Sequence, residues 1–215
     1  MVFFDLSHSI ENGMTFFPGD PQPRVAPAAG ALPPWQVSDL RLGSHTGTHI
    51  DAACHFIGGG KSIDQYAPGR FILDGIVVRA LDPAANKPIG AELLLSLVPQ
   101  MPEGGAVLLQ TDWDRFWKTE QYGSHPFLSR EAAQILRTVG ISLVGIDALN
   151  VDSTVDGTSD VHEILLGADI LIVENLRGLS QLEPLQRYRF SFLPLRITGS
   201  DGSPVRAIAW ESQSP

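Results

Sequence analysis

The sequence has one cysteine, Cys54, and few basic residues. A single cysteine excludes an internal disulfide bond and fits a reducing compartment such as the cytoplasm. Lys and Arg together number 15 against 24 Asp and Glu, which gives a formal net charge of −9. The chain has no basic run that could displace counterions from a nucleic acid or bind an anionic membrane. We therefore expect neither nucleic acid nor membrane as a partner.

Long apolar runs are also missing. The most apolar stretch, residues 164–173, is interrupted by Gly167 and Asp169 and is shorter than a membrane span. The amino terminus has neither the basic segment nor the small-residue cleavage site of a secretory signal. Hydrophobic residues nevertheless make up 43% of the chain, which is enough for a sizeable core. We expect one globular, cytoplasmic domain over residues 1–215.

Predicted helices and strands alternate along much of the chain, which indicates an α/β fold. A buried strand over residues 75–81 and a helix over residues 90–97 precede a strand over residues 106–110. Ser129 is a suitable cap for a further helix, and a strand over residues 141–146 follows that helix. Helix followed by strand, repeated in this way, is typical of a layered α/β domain.

Two aromatic residues, Phe16 and Phe17, stand immediately before Pro18-Gly19, a pair that suits the central positions of a type II turn. These aromatic side chains could cover a binding site or belong to the core. Residues 21–34 are rich in proline and alanine and show neither helical nor strand periodicity. They predict an extended surface excursion, after which residues 37–43 form a strand.

The most informative stretch is residues 45–55, with the sequence His-Thr-Gly-Thr-His-Ile-Asp-Ala-Ala-Cys-His. It contains three of the six histidines of the chain together with Asp51, and imidazole with carboxylate is a ligand set for zinc, manganese or iron. Gly47, Ile50 and the threonines disfavour a helix. We predict a strand that enters a tight loop, with His49 and Asp51 on one face. The alternative is a polar loop whose histidines only hydrogen-bond to the backbone.

A second group of candidate ligands lies later in the chain. A short helix capped by Asp160 carries His162 in its first turn, and an apolar strand over residues 170–173 leads to Glu174. The helix descends about 10 Å and the strand returns about 16 Å, so His162 and Glu174 should reach the same end of the layer. A buried glutamate needs a partner, and a metal ion would supply one. The alternative is an exposed glutamate at the strand end.

The 45–55 stretch resembles the His-x-Gly-Thr-His-x-Asp-x-Pro-x-His signature of the cyclase family of metal-dependent hydrolases, with Ala53 in place of the proline. This family includes bacterial kynurenine formamidases and isatin hydrolases. His162 and Glu174, twelve residues apart, also match the kynurenine formamidases, and Asn175-Leu176 continues that likeness. The resemblance covers most of the chain and includes Trp113, residues 145–147, Asp152 and residues 190–196.

The resemblance implies a single-domain swivelling β/β/α fold, a homodimer or larger assembly, and two divalent metal ions per chain. It implies that His45 and His49 bind one ion and that His162 binds the second. Asp51 and Glu174 would complete the two sites, at least one of them as a bridge. These ligands suit zinc and manganese alike; we predict zinc, with manganese as the alternative.

The resemblance also implies hydrolysis of an amide by metal-activated water, with His55 as general acid and base rather than ligand. The best candidate substrate is N-formylkynurenine, an aryl formamide of tryptophan catabolism, with its ring against Phe16 and Phe17. Phe17 replaces a tryptophan that is common in kynurenine formamidases. The alternatives are a hydrolase of a cyclic amide or lactone of the isatin type and a metal-stabilised binding protein without turnover. A non-ligating His55 argues against the last of these.

Overall fold

The computed structural model describes residues 2–80 and 84–211. Its strands, numbered along the chain, are β1 Phe3–Asp5, β2 Arg24–Pro27, β3 Ser38–Arg41, β4 His49–Asp51, β5 Ile72–Arg79, β6 Pro88–Ile89, β7 Ala106–Gln110, β8 Phe127–Leu128, β9 Leu143–Ile146, β10 Leu171–Glu174, β11 Tyr188–Ser191, β12 Gly202–Pro204 and β13 Ile208–Glu211. The α-helices are α1 Ala91–Leu97, α2 Arg130–Val139 and α3 Asp160–Leu166. Short 3₁₀ helices span Ala53–His55, Ile63–Gln65, Pro68–Phe71, Val98–Gln100, Trp113–Phe116, Glu120–Ser124 and Leu179–Gln181.

Nine strands form one curled, mixed sheet in the order β1-β13-β11-β5-β7-β9-β10-β4-β12. The four central strands β5, β7, β9 and β10 are parallel, whereas the pairings toward both edges are antiparallel. The prediction of an α/β fold is confirmed. The predicted strand end at Leu81 lies outside the described residues. No described helix has the length and the apolar character needed to cross a membrane.

Each face of the central sheet is covered by its own apolar cluster. In the register of the parallel strands Ile76 lies beside Val107, Val107 beside Val144, and Val144 beside Ile172. This buried row packs under the three α-helices. On the other face Val77, Leu108 and Val173 belong to a second cluster, which includes Ile50 of β4. Apolar side chains on both faces are typical of parallel strands buried in the middle of a sheet.

The predicted cap at Ser129 is confirmed as the start of α2. The hydroxyl of Ser129 accepts a hydrogen bond from the backbone N–H of Ala132 at 3.1 Å, and Gly140 ends the helix with φ +76°. The next strand, β9, begins at Leu143 and is therefore two residues shorter at its start than predicted. The turn after Phe17 is also confirmed, because the N–H of Asp20 donates to the carbonyl of Phe17 at 3.1 Å and Gly19 has φ +103°.

Asp160 does not cap α3, contrary to the prediction. It is the first residue of the helix, and its carboxylate pairs with Arg130. The carboxylate of Asp152 takes the capping role, since it accepts the N–H of Val161 at 3.0 Å and that of His162 at 2.9 Å. A carboxylate outside the helix can satisfy first-turn donors as a local cap does.

The excursion predicted over residues 21–34 is in part a regular strand. β2 pairs antiparallel with β3, with Val25 beside Leu40, and the two strands form a separate hairpin. The strand predicted over residues 37–43 exists, but it pairs with β2 instead of joining the main sheet. Every residue of β3 is exposed. A hairpin without a buried face needs no apolar alternation, which explains why the periodicity of the sequence missed β2.

Candidate metal centre

The candidate ligands of the 45–55 stretch meet those of the later stretch because β4 lies between β10 and β12. The antiparallel register of β4 and β10 places His49 directly opposite Glu174. Their Nε2 and Oε2 atoms are 3.6 Å apart. The side chain of Asp51 lies on the same face of β4 as His49, with Oδ1 3.3 Å from His49 Nε2. Strand alternation therefore brings these two side chains together as predicted.

Asp51 lies at the centre of the cluster and shows no exposed surface. Its Oδ1 is 2.8 Å from His45 Nδ1, and its Oδ2 is 3.6 Å from His162 Nε2. His162 Nε2 is also 3.5 Å from Glu174 Oε1. Two groups of possible ligands thus share Asp51, and the donor atoms within each group lie within 4.8 Å of one another. These groups are His45, His49 and Asp51, and Asp51, His162 and Glu174.

The residues present fit divalent metal ions. Asp51 Oδ2 is buried and has no hydrogen-bond partner among the described residues. A buried carboxylate oxygen without a partner carries a desolvation cost that a cation would remove. Imidazole nitrogens and carboxylate oxygens are also the donors that zinc and manganese bind. The cluster can therefore hold metal through His45, His49, Asp51, His162 and Glu174.

Within the cluster the imidazoles balance the buried carboxylates. Burial opposes ionisation of Asp51, but the charges of His49 and His45 outweigh it and hold the Asp51 pKa well below 3.8. Burial likewise opposes protonation of His162, yet contacts with Asp152 and Asp51 raise its pKa to about 10. Burial, followed by the charge of Asp51, raises the Glu174 pKa to about 7. Metal binding needs neutral imidazoles, so metal uptake would release protons.

A second layer of contacts fixes the orientation of the two buried imidazoles. His162 Nδ1 lies 2.8 Å from Asp152 Oδ2, and His49 Nδ1 lies 2.8 Å from the carbonyl of Gly47. A proton on each Nδ1 leaves Nε2 free to bind metal. The ring of Phe56 stacks on that of His162 at 4.5 Å. The contact between Asp152 and His162 was not predicted from the sequence. The available signal was an aspartate ten residues before a candidate histidine.

His55 lies at the edge of this cluster, on the 3₁₀ turn after β4. Its ring centroid is 4.1 Å from that of His45 and 5.8 Å from that of His162. Its Nδ1 is 3.2 Å from Asp201 Oδ2, which also lies 3.1 Å from His45 Nε2. Burial lowers the pKa of His55 below 6.5. His45, His55 and Asp201 form a third possible ligand group, so geometry alone allows His55 as ligand or as acid–base group.

Sequence reasoning missed Asp201 altogether. It precedes β12, the edge strand that pairs with β4, and it is 146 residues from His55 in the chain. The N–H of Ala52 donates to its carbonyl at 2.8 Å, which holds Asp201 beside the turn that carries His55. No spacing within the sequence brings these residues together, because the contact depends on a long-range strand pairing.

A cavity of about 220 Å³ opens onto the cluster. Its lining includes Phe16 and Phe17, which the family resemblance suggested as contacts of the substrate ring. The imidazoles of the cluster and Glu174 line the same cavity. The cavity is lined by Thr15, Phe16, Phe17, Asp20, His45, Gly47, His49, His55, Phe56, Leu149, Asn150, His162, Glu174 and Asn175.

Comparison with known proteins shows which family has this arrangement. The family model Cyclase matches residues 4–153. The chain belongs to the cyclase family of metal-dependent hydrolases. The resemblance drawn from the 45–55 signature is thus confirmed. This cyclase-family hydrolase is 30% identical to the kynurenine formamidase of Bordetella avium over 97% of both chains. It is also 30% identical to that of Salinibacter ruber over 100% of both.

Solved structures share the fold of this cyclase-family hydrolase. Isatin hydrolase A from Ralstonia solanacearum superposes with a TM-score of 0.87 at 23% identity, covering 98% of this chain and 92% of that one. A predicted metal-dependent hydrolase from Bacillus stearothermophilus gives a TM-score of 0.80 at 27% identity, with 97% of both chains covered. The curled mixed sheet is therefore the fold of the family.

Proposed function

We propose that this cyclase-family hydrolase cleaves the formyl amide of an aryl amine, with N-formylkynurenine as the best candidate substrate. Hydrolysis would release formate and the aryl amine. The observation that carries this proposal is a cavity with Phe16 and Phe17 on its wall that opens directly onto the buried histidine–carboxylate cluster. Two kynurenine formamidases at 30% identity over nearly the whole chain support the choice of substrate.

His45, His49 and Asp51 would hold one divalent ion, and His162 and Glu174 would hold a second with Asp51 between them. We propose zinc, with manganese as the alternative. When bound, such ions lower the pKa of water and polarise a carbonyl group. Asp152 and the carbonyl of Gly47 fix the ligand tautomers through their Nδ1 contacts.

His55 would move the proton of the reaction. Its side chain lines the cavity, and its Nδ1 faces Asp201 at 3.2 Å. The Nε2 atom has no hydrogen-bond partner among the described residues and is available to substrate. A neutral imidazole can take a proton as water attacks the formyl carbon and return it to the amine nitrogen. The protonated amine is then a competent leaving group.

We expect N-formyl aryl amines to be hydrolysed with a higher kcat/KM than N-formyl alkyl amines. Burial of a ring beside Phe17 should favour the aryl substrate by on the order of 2 kcal/mol, or about thirtyfold. Formanilide and N-butylformamide, compared under one metal loading, measure this preference. Phe17→Ala should reduce it, whereas Phe3→Ala alters a ring that lies outside the cavity and serves as the control.

Equal kcat/KM for the two formamides would show that Phe16 and Phe17 do not favour an aromatic substrate. Turnover of isatin or of a lactone, with no turnover of any formamide, would replace the proposed substrate by a cyclic one.

We further propose that the chain forms a homodimer. The tip of the β2–β3 hairpin exposes two large apolar side chains that are near one another in the chain, Trp35 at 71% and Leu32 at 69%. Exposed apolar patches mark interaction surfaces. A second copy of the chain would cover them. Light scattering should give about twice the 23.3 kDa chain mass, and Trp35→Ser with Leu32→Ser should lower it toward the monomer. A monomeric parent protein at micromolar concentration would contradict the proposal.

A further inference from the structure

Asn150 lies on the loop between β9 and α3, immediately before two residues that contact candidate metal ligands. The next residue, Val151, donates its N–H to Glu174 Oε1 at 2.9 Å. The residue after that, Asp152, accepts from His162 Nδ1 at 2.8 Å. The backbone around Asn150 is therefore tied to two candidate ligands, and its side chain lines the cavity beside them.

The orientation of the Asn150 amide follows from its own hydrogen bond. The backbone N–H of Asp152 lies 2.7 Å from Asn150 Oδ1, and a backbone N–H can only donate. The oxygen therefore faces the loop, which leaves Nδ2 on the opposite side of the amide. Nδ2 has no acceptor among the described residues, and it is not one of the buried unpartnered atoms. Asn150 consequently offers a donor to whatever occupies the cavity.

The other polar side chains of the lining are placed differently in the chain. The Thr15 hydroxyl accepts from the N–H of Lys118 at 3.0 Å and keeps its own O–H as a donor. Thr15 adjoins Phe16 and Phe17, however, and does not belong to the loop that contacts Glu174 and His162. Asn175 is the second amide in the lining, and its Oδ1 accepts from the Tyr122 hydroxyl at 2.9 Å. Asn175 is only 3% exposed, whereas Asn150 is half-buried and is therefore the more accessible residue of the two.

We infer that Asn150 selects aryl formamides with a carbonyl group on the ring carbon next to the formamide, by donating a hydrogen bond from Nδ2 to that carbonyl oxygen. This inference rests on the proposed function. With the scissile carbonyl at the ligand cluster around Asp51, the Asn150 amide, on the loop that contacts Glu174 and His162, would meet an acceptor farther along the substrate. N-formylkynurenine carries a ketone at this ring position. An analogue without the ketone would leave this donor unpaired. The site would therefore discriminate against that analogue.

Asn150→Asp is the sharpest test of this assignment. Aspartate keeps the shape and the oxygen that accepts from Asp152 N–H, while it replaces the Nδ2 donor by a carboxylate oxygen and adds a negative charge. The substrates are 2-formamidoacetophenone and formanilide, which differ only in the acetyl group that carries the ring carbonyl. We expect the parent protein to prefer the first in kcat/KM and Asn150→Asp to reduce that preference about tenfold. The ratio cancels any effect of the new charge that acts on both substrates.

Binding of the amine products provides a readout that does not depend on turnover. Calorimetry on the metal-loaded protein should show 2-aminoacetophenone binding more tightly than aniline, with the difference reduced about tenfold in Asn150→Asp. Asn175→Asp, which keeps the acceptor for Tyr122, is the matched control and should retain the preference. Metal content and Tm near those of the parent would show that the variants are folded and loaded.

Three results would overturn the inference. The first is a preference that survives Asn150→Asp. The second is an equal loss on both substrates, which would place the amide on the scissile carbonyl. The third is a preference that disappears only in Asn175→Asp. Failure of the proposed function looks different, because the parent would then hydrolyse neither formamide, and the amine-binding comparison would still test Asn150.

Discussion

The protein is expected to hold two divalent metal ions per chain, and Glu174→Gln is expected to lose at least one of them together with most of the activity. Asp51 and Glu174 are the two carboxylates of the shared ligand groups, and both are buried among imidazoles. Neutral histidines alone would leave the charge of two dications without compensation. Glutamine preserves the shape of the side chain and can still accept from the N–H of Val151, so the change removes charge and one oxygen ligand only.

Metal content per chain, measured by mass spectrometry after dialysis against metal-free buffer, tests this expectation. Glu163→Gln is the matched control, because it is the same substitution at an exposed position on α3 next to His162. Its metal content and kcat should remain near those of the parent. A single metal ion in fully loaded, fully active parent protein would contradict the dinuclear assignment. Two ions retained in Glu174→Gln would show that Glu174 is not a required ligand.

Local sequence patterns predicted the parts of the site that depend on one or two elements. Alternation along β4 placed His49 and Asp51 on one face, and the helix-then-strand geometry brought His162 back to Glu174. Both inferences needed only the rise per residue of a strand and of a helix. The same kind of signal located α2 and β7 in the sequence.

The missed parts depend on pairings between distant segments. Asp201 reaches His55 only because β12 pairs with β4, and the sequence contains no local indication of that pairing. The sheet order could not be predicted for the same reason, since register between distant strands is set by packing of the whole core. β2 was missed because an exposed hairpin lacks the alternation that marks a half-buried strand. The role of Asp152 as a cap for α3 was not predicted, because Asp160 stands at the start of the helix and is the cap that the sequence predicts.

Experiment has to decide between two roles for His55. The geometry allows it to be a ligand, and the family resemblance implies that it is the acid–base group. Its Nδ1 shares Asp201 with His45, so the third ligand group remains an alternative to acid–base catalysis. If His55 is the acid–base group, His55→Asn should leave the metal content near that of the parent. His49→Asn removes a ligand outright and should lose metal and activity together. Metal content measured on both variants therefore distinguishes the two roles.

The kinetic effect of His55→Asn should be a loss of about 10²–10⁴-fold, the usual cost of removing general acid–base catalysis. It should fall mainly on kcat, because the proton moves in the transition state rather than on binding. Burial lowers the pKa of His55 below 6.5, and a base must be neutral to act. The parent should therefore lose activity as the pH falls through a value below 6.5, and this limb of the pH–rate profile should change in His55→Asn. A variant that empties a metal site as well as losing activity would make His55 a ligand and would leave the proton transfer to another group.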